Sequence, residues 1–256
     1  MIRKRLTWML LALAGVAALV AGSAASAEIV RLGNIELEVD GSFKPTKLPK
    51  KKLAPITLKV SSDIRTLDGT QPPILNELLL EFDKNGTLDT KGLPTCKASQ
   101  LENTLTDEAK KTCKKALVGK GSAKARIDFP DQDPFDAPGP MLAFNGKPKG
   151  GKPQLLLHVF AHVPAPTTFV VPATISNASG AFGKKVLAKI PPIAGGNGAL
   201  THFDISIHKT WNYKGKKHSY VVAKCASGHF VAQGTYKFND GSTVTGSVVR
   251  DCKKKG

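Results

Sequence analysis

Apolar and polar residues alternate along most of this chain with a period of two, the pattern of a β-strand with one buried face. Gly, Pro, Asn and Asp cluster between the alternating stretches. The stretches are Ile35–Val39, Ile56–Ile64, Leu78–Phe82, Ala123–Phe129, Leu155–Val163, Thr168–Ile175, Val186–Ile190, Phe203–Ile207, Ser219–Ala223, Phe230–Phe238 and Thr243–Val249. This pattern predicts an all-β protein, either an antiparallel β-sandwich or a partly open barrel.

The last three predicted strands are expected to form a meander, because the short turns Ser227-Gly228 and Asn239-Asp240-Gly241 separate them. In a meander Cys225 and Cys252 would be two strands apart, about 9.6 Å, which is too far for a disulfide. A bridge between them therefore requires the last strand to bend off the sheet or to switch sheets.

One helix is predicted, over Thr106–Leu117, with Thr106 as its N-cap. Acidic residues in its first turn and lysines in its last turn complement the helix dipole. Cys113 would lie inside this helix and tie it to Cys96. The segment from Leu93 to Gly119 would then form a short, disulfide-stapled helical excursion between strands.

Two proline-rich stretches, Lys44–Pro55 and Pro130–Pro140, are expected to stay outside the strand ladders, because proline lacks the amide donor. They are candidate domain boundaries. The pieces on either side are small and share the same strand pattern, however. We therefore expect a single β-rich extracellular domain over residues 28–256.

The N-terminus predicts a secretory signal peptide over residues 1–27. A basic start precedes the apolar run Leu6–Val20 and the small-residue cleavage site Ala25-Ser26-Ala27. An uncleaved anchor is the alternative, but the apolar run is shorter than the roughly 20 residues that span a bilayer. We expect a secreted, extracellular protein that begins at Glu28 and keeps no transmembrane segment after processing.

In an exported protein the four cysteines are expected to form structural disulfides, because disulfides persist in oxidising compartments. Three pairings are possible. We favour Cys96 with Cys113 and Cys225 with Cys252, because the members of each pair are close in sequence. Zinc binding is the alternative, but the chain contains no C-x-x-C spacing.

Lysine dominates the charge of the chain. Without Arg3, Lys4 and Arg5, the 37 basic residues become 34 against 20 acidic ones, a formal net charge of +14 for the mature part. Short clusters such as Lys50-Lys51-Lys52 would attract anionic cell-envelope polymers by salt-sensitive contacts. Loop solvation explains many of these lysines equally well. Because lysine lacks the fork of arginine, no specific nucleic acid is expected as a partner.

Trp211 and Tyr213 are a candidate aromatic platform. On a strand the two rings would share a face and could stack against a sugar ring. A role in packing the hairpin is the simpler interpretation.

An acidic loop is the best candidate metal site. Its carboxylates are Asp128, Asp131, Asp133 and Asp136. Calcium needs several such oxygen ligands, but the glycine and glutamate of the EF-hand pattern are missing. We favour a solvated loop and expect no metal and no other cofactor.

The histidines give no clear catalytic pattern. His158 and His162 would be about 13 Å apart on a strand, too far to share one ion. The others lie near predicted strand ends, and Asp204 accompanies the first of them: His202, His208, His218 and His229. The chain contains neither G-x-S-x-G nor H-E-x-x-H. No catalytic residue is assigned, and a hydrolase is the least favoured class.

Three segments look like a group of exported proteins of high-GC Gram-positive bacteria. They are LEFDKNGTLDTKGLPTC from Leu80 to Cys96, CKKALVGKG from Cys113 to Gly121 and PMLAFNG from Pro140 to Gly146. The resemblance covers most of the mature chain and implies a bacterial, exported setting. It transfers no activity and no catalytic or binding residue.

Two functional hypotheses follow from the sequence. The first is a non-enzymatic, secreted β-sandwich that associates with anionic cell-envelope polymers through lysine-rich loops, Lys50, Lys51 and Lys52 among them. The alternative is a small-ligand or carbohydrate-binding module that uses an apolar cavity or the Trp211 and Tyr213 platform.

Overall fold

The structure is a computed structural model, and it describes residues 27–255. The signal peptide predicted over residues 1–27 lies outside the described residues, apart from Ala27. The first strand begins at Glu28, the residue at which the mature chain is predicted to start. None of the helices in this part of the chain has the length and apolar character needed to cross a membrane.

The described residues form nineteen strands, one α-helix and three short 3-10 turns. The strands are β1 Glu28–Leu32, β2 Ile35–Lys44, β3 Lys47–Pro49, β4 Ala54–Pro55, β5 Thr57–Thr66, β6 Leu75–Asp83, β7 Gly86–Leu88, β8 Leu117–Ile127, β9 Phe135–Lys149, β10 Lys152–Ala161, β11 Thr167–Asn177, β12 Phe182–Lys189, β13 Gly198–Ile207, β14 Thr210–Tyr213, β15 Lys216–Ser219, β16 Val221–Ala223, β17 His229–Phe238, β18 Thr243–Asp251 and β19 Lys253–Lys255. The helix α1 is Thr106–Thr112, and the 3-10 turns are Ala98–Gln100, Lys114–Ala116 and Ala194–Gly196.

Twelve strands form one antiparallel sheet in the order β1-β2-β5-β13-β8-β9-β10-β11-β12-β6-β17-β18. The sheet curls until its edge strands meet, so that β18 contacts both β1 and β2. Side chains hold this seam: the Ser247 amide donates to Glu28 Oε2 at 2.6 Å, and Arg250 pairs with Asp40. The predicted all-β class is confirmed, as a large, nearly closed antiparallel sheet.

The two ends of the curled sheet differ. At the end that we call the open end lie the connections 128–134, 162–166 and 190–197. At the opposite end, which we call the plugged end, β4, β16 and β7 form a three-stranded sheet. Val221 and Ala223 of β16 are buried there together with Ile56 and Tyr220. The small sheet therefore closes one end of the large one.

All eleven predicted strands are present, with one of them divided. The predicted strand Ser219–Ala223 is interrupted at Tyr220, so its residues belong to β15 and β16. The alternation of apolar and polar residues was a reliable guide wherever one face of the sheet meets solvent.

The prediction that Pro130–Pro140 stays outside the ladders is wrong in part: residues 130–134 lie outside the strands, but the rest of the stretch does not. β9 begins at Phe135 and pairs with β8 through Pro138 and Pro140. Its pairing with β10 begins only at Met141. The two prolines therefore lie where β9 has a partner on one side only, and a missing amide donor is tolerated there.

The prediction for Lys44–Pro55 is also wrong in part. β2 continues to Lys44, β3 pairs in parallel with β19, and β4 pairs with β16. Lys50, Lys51 and Lys52 between β3 and β4 are exposed.

The predicted three-stranded meander does not form. β17 and β18 pair as a hairpin, but β16 belongs to the small sheet at the plugged end. Cys225 therefore approaches Cys252 from outside the large sheet, and their Cα atoms are 5.9 Å apart. The first strand of the three, not the last, lies in another sheet.

The stapled helical excursion is present, with a shorter helix than predicted. α1 ends at Thr112, and its N-cap is Leu105, whose amide donates a hydrogen bond to the Glu108 carboxylate at 2.9 Å. Cys113 lies at the end of the helix rather than inside it, and it bridges Cys96. Both predicted disulfides are confirmed.

The excursion covers the outer face of β9 and β10. Leu101, Ala109 and Cys113 pack there against Phe144 and Leu156. β9 and β10 are therefore covered on their outer face by the excursion, while their inner face looks into the curled sheet.

Candidate functional site

A large apolar cavity lies inside the curled sheet, with a volume of about 540 Å³. It exists because strands of a closed sheet turn alternate side chains inward, and twelve strands enclose more space than their side chains fill. The inward residues of β10, β11 and β12 are all apolar over the middle of the sheet: Leu155, Leu157, Val159, Phe169, Val171, Ala173, Val186 and Ala188.

Several apolar side chains of the cavity lining are only half-buried although they lie in the middle of their strands. Leu157, Val159, Phe169, Val186 and Ile205 share this property. Each is a lining residue of the cavity. Apolar surface is thus kept inside the molecule but is not covered by other side chains, which is the condition for taking up an apolar ligand.

The cavity reaches the surface at the open end. Its exposed lining residues there are Val163 and Pro164 of the β10–β11 connection, Thr167 at the start of β11, and Pro192 and Gly195 of the β12–β13 connection. At the plugged end the lining residues of the small sheet are either buried, as Val221 and Ala223 are, or half-buried, as Gly86, Thr87 and Leu88 are. A ligand would therefore enter between the two connections at the open end.

The charged side chains of the lining have partners of their own. Lys184 Nζ donates to Asn177 Oδ1 at 2.6 Å. Arg250 pairs with Asp40 across the seam. Asp83 accepts hydrogen bonds from the amides of Asn85 at 2.8 Å and Val231 at 3.2 Å. The cavity thus presents hydrocarbon surface to a ligand.

Trp211 and Tyr213 lie on the β14–β15 hairpin, and both rings are used in packing. The Trp211 ring stacks on His218 with centroids 5.6 Å apart, and its Nε1 donates to the Lys91 carbonyl at 2.9 Å. Tyr213 lies directly against Gly92, where a Cβ atom would overlap the ring. The contacts correspond to the hairpin-packing interpretation of the aromatic pair.

His218 connects the packed hairpin to the loop that follows β7. Its Nδ1 lies 2.6 Å from Asp89 Oδ2. Burial alone would raise the pKa of Asp89, but the hydrogen bonds from His218 and the Lys91 amide outweigh it and hold that pKa below its usual value. The pair of His218 and Asp89 thus holds the β14–β15 hairpin against the loop that follows β7.

The remaining candidate histidines are not brought into one pocket. His202 on β13 lies on the outer face, with Nδ1 2.8 Å from Asp63 Oδ1 and Nε2 3.9 Å from Asp204 Oδ2. His208 follows β13, and His229 begins β17, which is distant from β13 in the sheet order. Ser122 Oγ donates to Asp204, so this serine is bound to a carboxylate and not to the histidine.

His158 and His162 have different surroundings. His158 is fully buried beneath the excursion, and His162 is exposed with its ring edge-on to Phe160. They share no ion.

The four aspartates of the candidate calcium loop do not form one site. Asp128, Asp131 and Asp133 belong to the exposed connection 128–134, but Asp136 lies on β9, 3.3 Å from Lys124 Nζ. Within residues 27–255, no group of three or more His, Cys, Asp or Glu side chains is arranged to hold a metal ion.

Sequence reasoning named an apolar cavity as one alternative but assigned no residue to it. The only signal was the run Leu155–Ala161, in which nearly every residue is apolar. Such a run indicates a strand covered on both faces. It does not say that one of those faces borders an unfilled space.

Comparison of the chain with protein-family models, with curated proteins and with solved structures found no match.

Proposed function

We propose that this protein binds an apolar small molecule inside its curled sheet. The observation that carries the proposal is the cavity of about 540 Å³ with its uncovered, half-buried apolar lining. Ligand pockets in proteins commonly measure about 300–1,000 Å³. The cavity is therefore of a size to hold one hydrocarbon chain or a small ring system.

The chemistry of the lining favours a neutral, largely hydrocarbon ligand. Lys124 and Arg250 form ion pairs with Asp136 and Asp40, and Lys184 is hydrogen-bonded to Asn177, so the lining offers little uncompensated positive charge to an anionic ligand. Burial of ligand hydrocarbon against Leu157, Phe169 and their neighbours would supply the binding free energy.

We propose that this binding takes place outside the cytoplasm. The two disulfides fit an oxidising compartment, and the N-terminal residues have the composition of a secretory signal. An exported protein with an apolar cavity would carry or sequester a ligand that is poorly soluble in water.

The proposal is tested with N-phenyl-1-naphthylamine, a neutral aromatic probe whose fluorescence rises in apolar surroundings. We expect saturable binding to the mature protein and displacement by a long-chain alcohol such as tetradecanol. Leu157→Trp should lower the affinity about tenfold or more, because the indole occupies the cavity, and one such factor corresponds to about 1.4 kcal/mol.

Leu187→Trp is the matched control, because Leu187 is equally half-buried on β12 but is not a lining residue. Val186→Phe, also on β12, adds a smaller side chain to the cavity than Leu157→Trp does. It is the second cavity variant if Leu157→Trp does not fold. The proposal fails if the wild-type protein shows no saturable binding, or if Leu187→Trp weakens binding as much as the two cavity variants do.

A further inference from the structure

We propose that the plugged end also carries a docking surface for a linear polyanion. This surface, which we call the lysine surface, is separate from the apolar cavity. It consists of Lys47, Lys50, Lys51, Lys52, Lys253, Lys254 and Lys255.

The fold brings together two lysine runs that are far apart in sequence. β3 and β19 pair in parallel, so that Lys253 lies beside Lys47 and Lys255 lies beside Pro49. The Lys253 amide donates to the Thr46 carbonyl at 2.8 Å. Lys50, Lys51 and Lys52 follow directly after β3 and extend the same surface.

A disulfide fixes this arrangement. Cys252 immediately precedes β19, and its partner Cys225 donates its amide to the Pro49 carbonyl at 2.9 Å. Both lysine runs are therefore attached to the same buried bridge. The surface is a defined arrangement of charge and not a pair of independent tails.

The charge of the lysine surface is not neutralised within the protein. All seven side chains are exposed, and none of them forms an ion pair with another described residue. The acidic residue nearest in sequence is Asp251, at the end of β18, and it forms no ion pair with these lysines. Like charges on paired strands repel each other, so an anionic partner would relieve a repulsion that the disulfide now holds in place.

The chemistry of the surface fits a polymer with repeated phosphate or carboxylate groups. Lysine is a mobile point charge that attracts such groups without the fixed geometry of a guanidinium fork. A polymer is favoured over a bilayer because the lysine surface offers little apolar surface to insert: among residues 47–55 and 251–255, Leu53 is the one exposed large apolar side chain.

The test measures binding of the mature protein to fluorescently labelled inorganic polyphosphate over a range of salt concentrations. Neutralising Lys50, Lys51 and Lys52 to Gln should lower the affinity about tenfold at low salt and reduce the slope against salt, because fewer counterions are released. Neutralising Lys253, Lys254 and Lys255 should have an effect of similar size.

The matched control neutralises Lys147, Lys149 and Lys152, which removes the same charge from the exposed β9–β10 hairpin. It should change binding much less, and Trp211→Ala should also have little effect. If the control triple lowers the affinity as much as the other two, the charge acts as a diffuse field and the lysine surface is refuted. Binding that survives high salt and disappears in Trp211→Ala also overturns the proposal.

Vesicles of phosphatidylcholine with phosphatidylglycerol distinguish the bilayer from the polymer. Leu53 is 51% exposed directly after Lys52 and is the side chain that would enter a bilayer. We expect weaker binding to these vesicles than to polyphosphate and no effect of Leu53→Ser. Tighter vesicle binding that Leu53→Ser abolishes would assign the surface to membranes instead.

Discussion

At the scale of single residues, His158 connects the large sheet to the helical excursion. It has no exposed surface, and its Nε2 lies 3.0 Å from the carbonyl of Thr104 and 3.1 Å from the Thr104 hydroxyl. Burial disfavours the charged imidazolium and lowers the pKa of His158 below its usual value. In the unfolded chain the pKa returns to about 6.5, so the unfolded state binds more protons as the pH falls.

We therefore expect the free energy of unfolding to decrease as the pH falls below about 6.5, by at most about 1.4 kcal/mol per pH unit from this residue. His158→Gln keeps a hydrogen-bonding side chain that does not titrate. Urea unfolding between pH 5 and pH 7 should show a smaller loss of stability for His158→Gln than for the wild-type protein. Parallel curves for the two proteins would mean that His158 is protonated equally in both states.

At the scale of elements, most strands of the large sheet could be predicted from their apolar and polar pattern, but β9 could not. β17 and β18 alternate clearly and were found within a few residues of their ends. β9 was missed because its residues 141–146 are all buried, so that the period of two disappears, and because its first half contains prolines. The pairing of β16 with β4 and β7, and the existence of the cavity, depend on contacts between strands that are far apart in sequence. A local sequence pattern does not predict such contacts.

The helical excursion should depend strongly on its own disulfide. Cys96 and Cys113 are separated by 17 residues and attach α1 to the outer face of β9. Replacing both by serine should lower the free energy of unfolding by about 3 kcal/mol on the chain-entropy model. Urea unfolding followed by circular dichroism measures this change.

The same measurement on a variant with Cys225 and Cys252 replaced provides the comparison, since that bridge joins different elements at the plugged end. We expect proteolysis near residues 97–112 to rise only when the bridge between Cys96 and Cys113 is removed. Equal susceptibility in both variants would show that the excursion is held by packing against β9 and β10 alone.

At the scale of the whole molecule, the cavity requires that the curled sheet stay closed. Closure rests on the seam, where β18 lies against β1 and β2 through side-chain contacts. Gly246 of β18 is central to it, because a Cβ atom there would lie 2.7 Å from Val39 Cγ2 and 3.5 Å from Val30 Cγ2. Only a residue without a side chain allows the two edges to approach this closely.

Gly246→Ala should therefore force the edges apart and lower the free energy of unfolding by about 1–3 kcal/mol, the usual cost of overpacking a buried contact. Gly41→Ala on the facing β2 is the matched control, since its Cβ would be 3.8 Å from the nearest atom, the Lys59 carbonyl oxygen, an ordinary contact. Hydrogen exchange should become faster in β1 and β18 of Gly246→Ala and stay unchanged in β9 and β10.

Because the cavity loses a wall when the seam opens, the variant should also bind N-phenyl-1-naphthylamine more weakly than Gly41→Ala does. Equal stability and equal probe binding in the two variants would show that the seam does not control access to the cavity.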